Sequence, residues 1–307
     1  MPLFNGERFL EQTLNALLAQ TFEDFELIIS DNASGDGTLA ICETYAACDG
    51  RIVLTRNATN RGASFNYNKV FGLARGEYFK WAAYDDLCAP TYLERCVEAL
   101  DGDAGAVLSY PVSGLIDLAG EPIAIGDDPP RAVSDDLVAR FTDCLSPFKI
   151  WQNPIFGLIR RGPLSRTGLI GPYLASDRCL LAELALAGRF LRIPERLFFR
   201  RKHADNVGVG LEHLEFFDPR LKGRVVVPEL RIFREHLRSV GRARLGIATK
   251  RRLQWEVCRW FLGRHDVVRH QMGAALRARG RRARAGRGAG DGPGRRPTPA
   301  ESGRRVP

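Results

Sequence analysis

Gly76-Glu77-Tyr78-Phe79-Lys80-Trp81-Ala82-Ala83-Tyr84-Asp85-Asp86 is an apolar run that breaks off at two adjacent carboxylates. Tyr78, Phe79, Trp81 and Tyr84 favour a strand, and the run ends before Pro90, which suits the first turn of a helix over Pro90–Leu100. The stretch therefore reads as a buried strand that delivers charge to an edge. Adjacent anions repel, so a cation is expected between or beside them. In open α/β sheets ligands gather beyond the carboxyl ends of the strands, where this reading puts Asp85 and Asp86. Oxygen ligands there suit Mg²⁺ or Mn²⁺ holding a phosphate. The competing reading of an Asp pair is a solvated turn or a helix cap.

Working upstream, Phe9, Leu10, Leu14, Leu17 and Leu18 recur at helical spacing within Glu7–Gln20, and Phe25–Ser30 is a short apolar strand closing on Asp31. Residues 31–37 are rich in turn formers. A helix over Thr38–Ala47, a strand over Arg51–Thr55, a loop over Arg56–Gly62 and a helix over Ser64–Ala74 follow. Strands alternating with single helices predict an α/β fold with a parallel sheet covered on both faces. Asp31 and Asp85 then open into one crevice.

Downstream the pattern loosens into a mixed sheet. Strands are expected over Gly105–Tyr110, Ile155–Arg160, Phe190–Ile193 and Arg196–Arg201, with a hairpin over Ile116–Pro122 and a loop over Gly126–Arg131. Helices are expected over Ser134–Cys144, capped by Ser134, and over Asp177–Ala187, closed by Gly188. Glu229–Arg279 is helical in pattern, and from Gly280 the Gly/Pro/Arg composition predicts disorder. The expected division is residues 1–210, then a basic helical extension over 211–279, then the tail over 280–307.

The formal charge of +9 is unevenly placed. Residues 273–307 carry +8 and residues 229–272 carry +7, which leaves residues 1–228 at −6. A mildly acidic body with a basic end fits contact with an anionic membrane surface, and an Arg tail without interleaved aromatics is a poor nucleic-acid binder, so no nucleic acid is expected. No run of eighteen apolar residues and no signal-like segment is present, which points to the cytoplasm, with peripheral contact at the inner face of the membrane. The seven cysteines form no Cys-x-x-Cys pair and read as reduced core residues.

Together these pieces carry a resemblance. Pro2-Leu3-Phe4-Asn5 with Glu7 and Leu10, Gln20-Thr21, Phe25–Ile28, Asp31-Asn32-x-Ser34-x-Asp36-Gly37-Thr38, Asn60-x-Gly62 with Asn68, Ala74-x-Gly76-Glu77-Tyr78 and Asp85-Asp86 resemble the inverting, metal-dependent glycosyltransferases of family two. The likeness runs from Pro2 to about His203. It implies the GT-A nucleotide-sugar-binding fold and a donor bound by Phe4, Asn5, Glu7, Asp31, Asn60, Arg61, Asn68 and Asp85. Asp31 would hold the base or ribose, although Asn32, Ser34 and Asp36 also favour a capped turn. Asn60 and Asn68 suit bracing of the loop, and Arg61 suits a diphosphate or plain solvent. Asp86 would be the metal ligand and Asp85 its neighbour on the ribose or a metal-bound water. His203, in Arg200-Arg201-Lys202-His203, would complete the metal shell, with a structural histidine as the alternative. Asp177, opening its helix, would be the base that takes the acceptor's proton; many relatives have a Glu just before it, where this chain has Ser176. The competing role is a carboxylate set against the helix dipole. Trp151, Gln152 and Asn153 fall where relatives shape the acceptor pocket.

The implied reaction is transfer of a sugar from a nucleotide-diphosphate sugar to a carbohydrate or lipid-linked acceptor, in surface polysaccharide or glycolipid synthesis. A nucleotidyltransferase is the nearest rival, but Pro2–Arg8 lacks a Gly-rich basic phosphate loop. A non-catalytic binding protein on the same scaffold is the other. In the resembled family an apolar central strand precedes Pro-x-x-Asn, whereas only Met1 precedes Pro2 here. The expectation is that the natural product starts upstream with a short Val/Ile-rich strand, or that the present form is unstable.

Overall fold

The computed structural model describes residues 1–123, 131–146, 153–203, 214–222, 224 and 226–288, with side chains as far as residue 277. Strand β1 (Pro2–Leu3), helix α1 (Glu7–Leu18), β2 (Leu27–Asp31), α2 (Thr38–Cys48), β3 (Ile52–Arg56) and α3 (Ala63–Leu73) follow in turn. The three strands form one parallel sheet in the order β1-β2-β3, with Leu3 opposite Asp31 and Asp31 opposite Arg56. Every residue of β2 is buried, as expected for a strand covered on both faces. On α1, Phe9, Leu10, Thr13, Leu14 and Leu17 are buried, so its apolar stripe faces the sheet and its charged residues face water. The ladder reaches Met1, whose carbonyl accepts from Ser30 N–H at 3.0 Å.

The second sheet is mixed. It contains β4 (Tyr78–Phe79), β5 (Leu87–Cys88), β6 (Ala106–Ile116), β7 (Pro122–Ile123), β8 (Leu158–Arg160) and β9 (Arg189–Arg201). Their order is β4-β8-β6-β9-β5, with β7 on β6; β6 and β9 are parallel and the other pairings antiparallel. Helices α4 (Tyr92–Asp101), α5 (Leu137–Leu145), α6 (Arg161–Leu164) and α7 (Ser176–Ala187) fill the connections.

Here the structure corrects the reading of Gly76–Asp86. Only Tyr78 and Phe79 are paired as a strand, and they run antiparallel to the three-residue β8. A ladder extends no further than its partner, so the chain leaves the sheet after Phe79 and Trp81 is buried as a core side chain instead. Trp81 stacks edge-on against Phe79 at 4.9 Å and its indole N–H donates to the Tyr67 carbonyl at 3.0 Å.

Two smaller corrections concern local chemistry. The cap of α5 is Asp136, which accepts from Ala139 N–H at 2.6 Å; the Ser134 hydroxyl accepts from Asp136 N–H instead. The two strands expected on either side of Pro194 are one strand, β9, whose register on β6 shifts between Pro111 and Ser113. Proline lacks the N–H of a ladder residue, so the irregularity at 194–195 is its natural site. The expected loop at 126–131 lies outside the described residues except for Arg131.

Beyond residue 213 come α8 (Leu214–Phe217), α9 (Pro228–Arg242), α10 (Ile247–Leu262) and α11 (His265–Gly288). Residues 280–288, expected to be disordered, continue α11, and the rest of the tail lies outside the described residues. Val240, Leu253 and Val257 join the same buried cluster as Val70, Phe79, Leu108 and Leu184, so α9 and α10 share a core with the first two hundred residues. A second cluster, including Leu3, Leu10, Leu14, Ile29, Cys96 and Phe198, lies between α1, α4 and the two sheets.

Candidate functional site

Arg201 organises the carboxylate pair. Its backbone N–H donates to Asp86 Oδ1 at 3.0 Å and its Nε to the Asp85 carbonyl at 2.9 Å. The rest of the guanidinium is taken by the carbonyls of Asp117 and Leu118, both at 3.0 Å, and by Gln12 Oε1 at 2.8 Å. The side chain is fully buried over the Phe9 ring, 4.6 Å from its centre. A buried cation needs this full set of acceptors, and here they come from α1, the Asp85-Asp86 turn and the β6–β7 hairpin. Thr13 on α1 adds a hydroxyl that donates to the carbonyls of Tyr84 at 2.8 Å and Asp86 at 3.1 Å. The turn that presents the two carboxylates is thereby fixed from both sides.

Asp85 and Asp86 are both buried, and His203 Nε2 lies 2.8 Å from Asp85 Oδ2. The His203 ring also packs against Phe9, centroid to centroid 5.3 Å. Burial first, and then the Asp85 charge beside it, push the Asp86 carboxyl up to about 7. Among the described residues no three His, Cys, Asp or Glu side chains converge as a self-sufficient metal site. The donors present therefore fit Mg²⁺ or Mn²⁺ in the manner of ions that complete their shell with phosphate oxygens and water. His203 faces Asp85 in this structure rather than an open coordination position.

Asp177 is exposed at the start of α7, directly after Ala175, whose φ of 60° turns the chain into the helix. Burial first, and then the charges of Asp85, Asp86 and Asp177, raise the pKa of the Tyr67 hydroxyl above its ordinary value. The approach to α7 is pinned to α3. Asn68 Nδ2 donates to the Ile170 carbonyl at 2.9 Å, Asn68 Oδ1 accepts from Ile170 N–H at 3.1 Å, and Ser64 Oγ donates to the Gly171 carbonyl at 2.9 Å.

The expected donor residues divide into two kinds. Phe4 and Arg61 are exposed, with Arg61 lying 3.8 Å from the centre of the Phe65 ring. Asn5, Glu7, Asn60 and Asn68 serve the scaffold. Asn5, with φ of 51°, accepts from Gly35 N–H at 3.0 Å and donates its own N–H to Ser34 Oγ at 2.9 Å, while Glu7 accepts from Gly37 N–H. These bonds stitch the β1–α1 loop to the β2–α2 loop, while both residues stay exposed. Asn60 Oδ1 accepts from Asn32 Nδ2 at 2.9 Å and from Gly62 N–H at 2.8 Å. Asp31 is wholly buried; it accepts from Ser34 N–H at 3.2 Å and pairs with Arg56 Nε at 3.2 Å. Its partner Arg56 is half-exposed.

Sequence reasoning passed over three contributors. Arg201 was visible only as one of three consecutive basic residues. Asn57 and Asn66 tie the parallel strands together: Asn66 Nδ2 donates to the Ser30 carbonyl at 2.7 Å, and Asn57 Nδ2 donates to Asn32 Oδ1 at 2.8 Å and Asn66 Oδ1 at 3.2 Å. The crowding of Asn57, Asn60, Asn66 and Asn68 into twelve residues was the available signal. Of the expected acceptor residues, Trp151 and Gln152 lie outside the described residues, and Asn153 precedes a 3₁₀ turn over Pro154–Phe156.

This arrangement has relatives. Residues 1–117 match the family described as Glycosyl transferase family 2. An uncharacterized glycosyltransferase of Haemophilus influenzae is 30% identical over 224 residues, 68% of this chain and 66% of that protein. A Bacillus subtilis protein, TuaG, named for teichuronic acid biosynthesis, is 33% identical over 97 residues, 32% of this chain and 38% of that one. The chain spans between 36% and 66% of the length of the first three curated relatives it matches. Among solved structures, Staphylococcus aureus TarS in complex with UDP superposes with a TM-score of 0.58 at 20% identity, over 86% of this chain and 70% of that one. The mannosyltransferase PcManGT of Pyrobaculum calidifontis, in complex with GDP-Man and Mn²⁺, does so with a TM-score of 0.51 at 18% identity, over 94% and 78%. With two parallel-to-mixed sheets meeting at a carboxylate pair, and with these relatives, the chain belongs to glycosyl transferase family 2 and has the GT-A fold.

Proposed function

We propose that the chain transfers a sugar from a nucleoside-diphosphate sugar to an acceptor hydroxyl, with inversion at the anomeric carbon. The observation that carries this reading is the buried Asp85-Asp86 pair, fixed by Arg201 and Thr13 with His203 Nε2 2.8 Å from Asp85 Oδ2. Asp177 adds an exposed carboxylate at the start of α7. Asp177 takes the proton of the acceptor hydroxyl. The acceptor oxygen then attacks the anomeric carbon as the bond to the diphosphate breaks, and the leaving electron pair goes to the nucleoside diphosphate. Asp86, with Asp85 and His203 beside it, would hold Mg²⁺ or Mn²⁺, which when bound offsets the charge of the diphosphate leaving group. Arg201 and Thr13 keep the pair in place, and exposed Phe4 and Arg61 are suited to the nucleotide.

Structural neighbours bound to UDP and to GDP-Man support a nucleotide-sugar donor, and the relative named for teichuronic acid supports an acceptor in surface polysaccharide or glycolipid synthesis. No helix among the described residues is long and apolar enough to cross a membrane, and a lipid-borne acceptor would be met at the inner surface of one. The test is a screen of nucleotide sugars for release of nucleoside diphosphate, with and without Mn²⁺ or Mg²⁺, followed by determination of product stereochemistry. Transfer with inverted configuration, lost on Asp86→Asn, is the expected result. Pyrophosphate release from a nucleoside triphosphate would favour a nucleotidyltransferase, and donor binding without turnover a binding protein.

A further inference from the structure

Helix α10 has two unlike faces. Leu253 and Val257 are buried inward, and Trp260 and Phe261 lean the same way, Trp260 edge-on to His236 at 5.4 Å and Phe261 stacked on Phe233 at 4.4 Å. These two aromatics are half-buried against α9. The opposite face keeps Ile247 74%, Trp255 67% and Leu262 69% exposed. At 3.6 residues per turn they share an arc of about 140° with Arg251, Arg252 and Arg259, all exposed. The one acid on the helix, Glu256, is paired with Arg259 at 2.5 Å. Val267, Met272 and Leu276 extend the exposed apolar surface along α11, and the charge of +8 over residues 273–307 continues the basic character.

Charge complementarity selects the occupant. A second copy would oppose arginines to arginines, and a nucleic acid would find one aromatic ring between two aliphatic side chains that stack on no base. An anionic bilayer satisfies both components, phosphates for the guanidinium groups and the headgroup–acyl boundary for Trp, Leu and Ile. We propose that the outward face of α10 rests on an anionic lipid bilayer, with Trp255, Leu262 and Ile247 in the interface and Arg251, Arg252 and Arg259 on the phosphates. This places the chain where a lipid-borne acceptor would be found, and so rests on the transfer reading for its purpose but not for its physics.

The experiment uses the full chain, without donor, on vesicles of phosphatidylcholine alone and of phosphatidylcholine with about one third phosphatidylglycerol. Binding that requires phosphatidylglycerol, weakens with salt and shifts Trp emission to the blue is expected. Two variants, Trp255→Ala with Leu262→Ala and Arg251→Glu with Arg252→Glu, should each lower vesicle affinity at least about tenfold with unchanged circular dichroism and thermal midpoint. Both retain the Arg-rich tail, so undiminished binding in either variant would move the contact to the tail and overturn the proposal. Absence of vesicle binding would overturn it too, as would a dimer that the Trp255/Leu262 variant dissolves and vesicles do not compete with. Because no sugar transfer is measured, failure here is separable from failure of the proposed reaction.

Discussion

Asn68 and Ile170, 102 residues apart, are joined by two opposed hydrogen bonds, from the amide Nδ2 to the Ile170 carbonyl and from Ile170 N–H back to the amide oxygen. The side chain thus closes a small ring between α3 and the chain that leads into α7. Asn68 thereby pins the chain seven residues ahead of Asp177, and on the proposed reaction it would position that carboxylate. Asn68→Ala is expected to cost about 1–3 kcal/mol of stability and to lower kcat by about tenfold, while nucleotide affinity is kept. Calorimetric nucleotide titration beside steady-state kinetics separates the two effects; weaker nucleotide binding at unchanged kcat would contradict the assignment.

Asp177→Asn keeps the size of the side chain while removing the proposed base. The expected loss in transfer is about 10²–10⁴-fold with donor affinity unchanged. If more than half of the activity survives, the proton goes elsewhere. Ser176→Glu, which restores the acid that many relatives carry one position earlier, should not rescue the Asn variant if position 177 alone faces the acceptor.

His236 is fully buried between Phe141 and Trp260, with both ring nitrogens lacking a partner, and burial with the nearby Arg178 charge lowers its pKa to about 3. A folded-state pKa below the unfolded value means that the neutral ring is the native form. Its contribution is present above about pH 6.5 and is lost as pH falls toward 3. By pH 5 the loss is roughly 2 kcal/mol. His236→Phe, which retains a ring, should flatten the decline in thermal midpoint between pH 7.5 and 5 relative to the natural side chain. Parallel melting curves for the two proteins across that range would show that the histidine is not the titrating group.

Gly62 has φ of 83°, and a Cβ there would stand 2.5 Å from the Phe217 carbonyl oxygen. Both the backbone and the space require glycine. Gly62→Ala is expected to lose about 1–2 kcal/mol from the left-handed conformation alone and more from the backbone clash. Gly50→Ala, where nothing lies within 4 Å, is the control and should stay within about 1 kcal/mol. Chemical denaturation of both variants measures the difference; equal midpoints would mean that α8 moves off the loop at no cost.

Periodicity carried most of the architecture. Helices α1, α2, α3 and α7 and strands β2 and β3 stand within a few residues of where apolar spacing places them, because their apolar residues pack against neighbouring elements. Asp85-Asp86 was legible as a charged turn for the same reason, since an apolar run that stops at two acids has few other uses. What the sequence conceals is pairing. The length of β4 depends on β8, some eighty residues later, and the burial of Trp81 depends on Tyr67. The bracing by Asn60 and Asn68 was expected, whereas that of Asn57 and Asn66 was hidden. Nothing local tells an asparagine that holds a loop from one that holds a sugar.

The pairing of β9 with β6 has a combinatorial side. Arg200, Arg201 and Lys202 are three consecutive cations, and side chains on a strand alternate between faces. With Leu115 opposite Arg200 and Ile116 opposite Arg201, the middle one is turned inward to the Asp85-Asp86 turn. A slip of one residue would present a neighbour in its stead, and neither a lysine with its point charge nor an arginine displaced by one residue would meet the same five acceptors. The irregular pairings at Pro111, Val112 and Ser113, beside Pro194 on the partner strand, act as a notch that admits one alignment. The identity of the cation beneath the carboxylates is thereby chosen seven residues away, by a proline, which makes Pro194 a place where sequence change would alter the site without touching it.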